Sequence, residues 1–168
     1  MKFPDLADPD DPAERSVAFS FESVERPRGF DEADFATWLT RVAAAHGREI
    51  AGLTYVVVAD EALYRMNVEF LGHDTLTDVI TFDLRSAGRR VEGECYISLE
   101  RIRDNAADYA VAVIDEFARV AAHGLLHLCG LRDKLPAERA AMRAAEDAAL
   151  ALRDGYPPPP PATDRPPV

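Results

Sequence analysis

The chain is 168 residues long, 48% hydrophobic and 29% charged, which is enough to fill the core of one domain and argues against disorder throughout. With 30 acidic against 19 basic side chains the formal net charge is −11, excluding a broadly cationic nucleic-acid or membrane-surface coat but not a local basic groove. No apolar run reaches the roughly 18 residues a membrane-spanning helix needs, the acidic start is unlike a secretory signal, and two cysteines, Cys95 and Cys129, suit a reducing cytoplasm better than a disulfide framework.

In chain order, residues 1–14 carry five acids against Lys2, with prolines at 4, 9 and 12, and are expected to be a poorly ordered acidic segment. Val17, Phe19 and Phe21 alternate with Ala18, Ser20 and Glu22 as in a half-buried strand. Asp31 reads as an N-cap for a helix with Phe35, Trp38, Leu39 and Val42 on one face, stopped at Gly47. Leu53 to Val58 predicts a strand buried on both faces. Asp60 then reads as the cap of a short helix carrying Leu63, Met66 and Phe70, followed by a loop from Leu71 to Thr77. Val79, Ile80 and Phe82 begin a strand that returns, past a hairpin around Gly88, through Cys95, Tyr96 and Ile97. Ser98 caps a helix from about residue 99, a second covers roughly 111–129, and a third, opened by Pro136, runs to about 153. Residues 154–168 hold seven of the twelve prolines and predict an extended, disordered tail. Strands early and helices late indicate one α+β domain over 15–153, a small mixed sheet of about four strands packed with about five helices.

The chemistry concentrates in residues 123–133. Residues four apart on a helix share a face, so His123 and His127 can direct two imidazoles at one metal ion; the same spacing also suits two satisfied core histidines. Gly130 is placed to end the helix in a left-handed turn, letting the chain fold back so that Asp133 either adds a carboxylate ligand or pairs in solvent with Arg132 or Lys134. Two histidines and one carboxylate leave a tetrahedral zinc ion one open position, the catalytic pattern. Gly124 stands where a zinc peptidase of the H-E-x-x-H type carries its glutamate base, so that activity is disfavoured. Cys129 lies roughly 200° around the helix from His127 and, like Cys95, reads as packing. Glu116, seven residues before His123, is either a partner that fixes an imidazole tautomer or a surface acid. Thr77 and Asp78 either approach substrate or close a turn, and His73 is either a phosphate or proton partner near the metal or an exposed loop histidine.

The stretch His123-Gly-x-Leu-His127-Leu-x-Gly130 resembles the signature of the YbeY family of bacterial endoribonucleases and ribosomal RNA maturation factors. Asn67 to Phe82 is similar to that family's N-x-x-x-R-x-x-D-x-x-T-D-V-L-S-F segment, Glu92 to Ser98 to its G-D-I-x-I-S strand, and Glu138, Met142 and Glu146 to its E-x-x-x-M-x-x-x-E helix. By spacing alone that helix reads as an amphipathic surface element. Two departures stand out. Asp133 occupies the position of the family's third zinc-binding histidine, and Leu71 replaces an arginine that is functional in the family.

The resemblance implies a zinc-dependent, single-strand-specific endoribonuclease of the cytoplasm, one zinc per chain, acting in ribosomal RNA maturation and ribosome quality control. His123, His127 and Asp133 would be its metal ligands and, with His73, its catalytic residues. Glu116, Thr77, Asp78 and Arg132 are the supporting or substrate-binding candidates, and the partners would be single-stranded RNA, ribosomal particles or ribosome-associated proteins. Given the acidic balance, an RNA path is expected to be a local groove drawing on Arg85, Arg89, Arg90, Arg101 or Arg132. Two rival readings remain: a ribosome-assembly factor with a purely structural metal, and a metallohydrolase of small molecules.

Overall fold

The alternation at 17–21 does fold as an edge strand, β1 (Val17–Phe21), with Val17 and Phe19 buried. The computed structural model describes residues 16–73, 76–85 and 88–153; the acidic segment 1–14 and the proline-rich segment 154–168 lie outside the described residues. Helix α1 (Glu32–Ala45) starts as its sequence predicts, the Asp31 carboxylate accepting the Asp34 N–H at 2.9 Å, and buries Phe35, Trp38, Leu39 and Val42. Strand β2 (Glu49–Val58) pairs in parallel with β1. It begins before Leu53, and only one of its faces is sealed: Leu53, Tyr55 and Val57 are buried, whereas Thr54 and Val56 are partly exposed. The expectation of burial on both faces is therefore corrected; a helix covers the second face, but thinly.

That helix is α2 (Asp60–Leu71). Asp60 is its first residue, not its cap; Ala59 takes the cap position without a side-chain bond, and the Asp60 carboxylate instead accepts from the Ser98 hydroxyl at 3.0 Å. Leu71 closes the helix where the sequence suggested a loop, because Gly72 supplies the left-handed residue that ends it. Strand β3 (Val79–Asp83) and strand β4 (Arg90–Ser98) form the antiparallel hairpin, and β4 also pairs in parallel with β2. The sheet order is thus β1-β2-β4-β3.

Three helices follow: α3 (Leu99–Asp108), capped by the Ser98 hydroxyl; α4 (Val113–Leu128); and α5 (Pro136–Ala151), whose Glu138 carboxylate accepts the backbone N–H of Lys134 and Leu135 at 3.0 Å each. Four strands and five helices give the expected α+β architecture.

The main core lies between one sheet face and α1, α4 and α5, with Phe19, Phe35, Tyr55, Phe117, Leu125 and Met142 inside it. The Tyr55 hydroxyl donates to the Ala121 carbonyl at 2.7 Å, and the Trp38 indole donates to Ala149 at 2.8 Å, so the polar tips of both large side chains are satisfied. On the opposite face α2 closes a much smaller cluster of Val58, Leu63 and Ile80.

Candidate metal centre

Helix α4 is the element that positions the histidines, and it is seated unusually close to the sheet. A Cβ on Gly124 would lie 2.7 Å from the Cys95 sulfur, so glycine between the two histidine turns lets the helix backbone approach β4. Burial pushes the Cys95 thiol up to about 12, and Cys129 is also buried, so both cysteines pack, as their positions suggest.

Gly130, at φ +102°, turns the chain after α4, and the Leu131 carbonyl comes back to accept from His127 Nδ1 at 3.0 Å. The same turn returns Asp133 to the histidines: its Oδ2 is 3.4 Å from His123 Nε2 and 3.3 Å from His127 Nε2. The two Nε2 atoms are 3.0 Å apart, and one ligand atom from each of the three side chains lies within 4.8 Å of the others. The histidine pair and the carboxylate thus converge on one point.

Hydrogen bonding decides which nitrogens face that point. A carbonyl only accepts, so His127 carries its proton on Nδ1. His123 Nδ1 lies 2.5 Å from Glu146 Oε1, and an ionised carboxylate also only accepts. In their neutral forms both imidazoles therefore aim Nε2 lone pairs at each other across 3.0 Å, beside a carboxylate oxygen. Three electron-rich atoms so placed call for a cation between them. Their separations of 3.0–3.4 Å are also close to the edge of about 3.3 Å expected of a tetrahedral zinc site with ordinary ligand bonds. The donor set fits a divalent metal.

The acids around the site favour positive charge there. Burial alone would lower the His123 pKa, but the Glu146 hydrogen bond and charge, with Asp78 and Asp133, outweigh it and raise the value. Burial would raise Glu146, but the His123 bond and the Arg119 charge hold it below the usual carboxylate range.

Glu146 is the supporting residue that the sequence spacing left as a surface acid. It comes from α5 and is 2% exposed. The candidate on α4, Glu116, touches neither imidazole; it forms a two-pronged ion pair with Arg119, at 2.9 Å and 3.1 Å to Nε. One turn of α4 between them makes that pairing the shorter reach. Sequence periodicity could not separate the two acids, since only the packing of α5 on α4 carries Glu146 to the ring.

The other candidates divide. Thr77 and Asp78 line a cavity of about 570 Å³ over the triad, together with Leu71, Val79, Thr81, Asp83 and Lys134. The Thr77 hydroxyl also donates to Val79, closing the expected turn, and Asp78 accepts from Asn105 at 3.5 Å. His73 is exposed beyond α2 and does not line that cavity. Arg132 points outward, 3.8 Å from Glu138. Arg85, Arg90 and Arg101 each face an acid: Asp83, Glu49, and Asp60 with Asp104. Cations outside the expected arginine groove stand nearer the triad: Lys134 on the cavity wall, and Arg139 and Arg143 beside His123 and Asp133 on the α5 side. A second cavity of about 300 Å³ adjoins the first through Thr77 and Asp78 and adds Arg101, Asn105 and Tyr109.

Comparison with known proteins gives one consistent result. Residues 22–153 match the family described as Endoribonuclease YbeY. A protein of that name from Bacteroides thetaiotaomicron is 41% identical over 138 residues, covering 82% of this chain and 99% of the relative. Another from Cytophaga hutchinsonii is 46% identical over 121 residues, covering 72% of this chain and 85% of the relative. In three dimensions the chain resembles a solution structure from Thermotoga maritima, with a TM-score of 0.57 and 20% identity, over 89% of this chain and 99% of that one.

Proposed function

Because the chain belongs to the Endoribonuclease YbeY family, we propose that it is a zinc-dependent endoribonuclease of the cytoplasm that cleaves single-stranded RNA in ribosomal RNA maturation and ribosome quality control. The observation that carries the metal is the facing pair of Nε2 lone pairs 3.0 Å apart with Asp133 beside them. His123, His127 and Asp133 are the ligands. Once bound there, zinc supplies Lewis acidity toward a phosphodiester oxygen and acidifies water.

The chain's own residues supply the rest. Glu146 and the Leu131 carbonyl hold both imidazoles with Nε2 toward the metal point, so no rearrangement is needed when a ligand arrives. The two cavities meet at Thr77 and Asp78 and give the RNA strand a path beside the triad. Lys134, Arg139 and Arg143 bring positive charge to the triad's rim on an otherwise acidic protein. At the position where the family carries arginine, Leu71 gives that path an apolar wall, and a nucleobase rather than a phosphate suits it.

The test is metal stoichiometry by plasma mass spectrometry on untagged protein, paired with cleavage of unstructured RNA. About one zinc per chain, lost in His127→Ala and reduced in Asp133→Ala, with cleavage lost in parallel, is the expected result. Products ending in 2′,3′-cyclic phosphate would mean attack by the ribose hydroxyl; cleavage of a strand lacking that hydroxyl at the scissile position would mean attack by water. A well-folded protein that takes up zinc and cleaves nothing would favour the assembly-factor reading.

A further inference from the structure

Arg119 is the one basic side chain other than His123 in the buried set of the described residues, at 5% exposure, and nothing in the proposed chemistry uses it. Its guanidinium is engaged on two edges. Nε and Nη2 grip Glu116, the shortest contact being 2.6 Å, while Nη1 donates to Glu146 Oε2 at 3.3 Å. Nη2 also lies 3.7 Å from Asp78 on the cavity wall.

Glu146 therefore has a partner on each oxygen: Arg119 on Oε2 and His123 Nδ1 on Oε1. A buried carboxylate bonded through one oxygen can still swing about its terminal torsion, which is broad. Bonded through both, its plane is fixed, and so is the atom it offers to the imidazole.

Net stability is a weak reason for such a cluster. Buried ion pairs are often replaceable by well-packed apolar side chains without loss, because desolvation consumes most of the Coulomb gain. Lysine would not serve either, since a point charge cannot span Glu116 and Glu146 as a planar fork does. An arginine kept here, with two buried carboxylates and a metal-facing histidine at the end of the chain of contacts, has its use at the histidine.

We infer that Arg119 is a positioning residue of the metal centre. It locks Glu146 so that Oε1 accepts the Nδ1 proton of His123, and this leaves the His123 Nε2 lone pair aimed at the point shared with His127 and Asp133. The inference rests on the metal-centre reading of those three residues.

The experiment uses the full chain and two variants. Arg119→Lys keeps the charge without the fork. Arg119→Met combined with Glu116→Gln removes the guanidinium without stranding the Glu116 charge, which protects the fold. Circular dichroism reports folding. Zinc affinity is measured by chelator competition, and the His123 tautomer by nitrogen-15 NMR of metal-free protein, at a pH above the end of the ring's own titration as followed in the same spectra.

Wild type is expected to show a single Nδ1–H tautomer at His123. Both folded variants are expected to show mixed tautomers and zinc affinity lowered roughly tenfold, with Arg119→Lys the milder. Should the double variant fail to fold, Arg119→Lys decides. Folded variants that keep the single tautomer and wild-type affinity overturn the inference, leaving Arg119 as packing. A wild-type chain that takes up no zinc overturns the metal-centre reading and this role with it, so the two failures are distinct.

Discussion

Helix α4 and helix α2 both bring residues to the cavity over the triad, but the protein holds them in opposite ways. Every residue of α4 from Glu116 to Leu126 is buried, whereas only Leu63 and Asn67 of the twelve residues in α2 are. The contrast suits the chemistry proposed for each helix. Ligand atoms for a metal must be placed to within a fraction of an ångström, which requires a helix whose rotamers are locked on all sides. The rim that meets a flexible polymer needs no such precision, and Leu71, 45% exposed at the end of α2, can adjust to it.

The largest effect on this contrast should come from unseating α4. Gly124→Ala puts a methyl group against Cys95 in a site with no slack, and should cost about 1–3 kcal/mol in urea unfolding, with weakened zinc uptake. Adding Cys95→Ala should restore part of that loss despite its own cavity, since the two side chains compete for one space. Simple additivity of the two losses would mean that α4 is not as tightly docked as its glycine implies.

A smaller effect should appear with pH in metal-stripped protein, because only one pair changes protonation. The raised His123 pKa contributes stability that is complete below its ordinary value of 6.5 and is lost as pH rises through the raised value. The lowered Glu146 pKa contributes stability that is complete above its ordinary value of 4.5 and is lost as pH falls through the lowered value. The pair's contribution is therefore greatest between 4.5 and 6.5. Urea midpoints across that range should show this maximum, and Glu146→Gln should remove it. A profile identical in the variant would show that α4 and α5 are not coupled through these groups.

The smallest effect belongs to α2. Phe70 is 61% exposed, with its ring 6.3 Å from that of Phe82, so Phe70→Ser should shift stability by no more than about 0.5 kcal/mol. A loss of several times that would mean that α2 is held as firmly as α4, and the division between a rigid metal side and an adjustable rim would fail.

Local signals were legible without coordinates wherever one residue's own geometry decides the outcome. Asp31 and Ser98 cap the helices they precede, and alternation marks β1. Asp60 misled because an acid just before an apolar helical pattern suits the cap and the first turn alike; its bond to Ser98, on a distant strand, settled which. The facing of His123 and His127 was legible for the same local reason, since helical spacing alone places the two on one face.

By itself, then, the sequence determined the order of the elements, the shared helix face of His123 and His127, the turn at Gly130 and the family motifs that set the reaction class, whereas the fold decided that Asp133 returns to the histidines. Tertiary structure alone decided which acid steadies which ring. Glu116 lies about two turns from His123 on one helix and Glu146 sits on another, and periodicity is blind to what packs against a helix face. Docking α5 on α4 put Glu146 at His123, while Glu116 met Arg119 one turn along its own helix. The contacts of Glu146 with His123 and Arg119 join residues 23 and 27 positions apart, and their register is fixed by core packing rather than by any local preference of the chain.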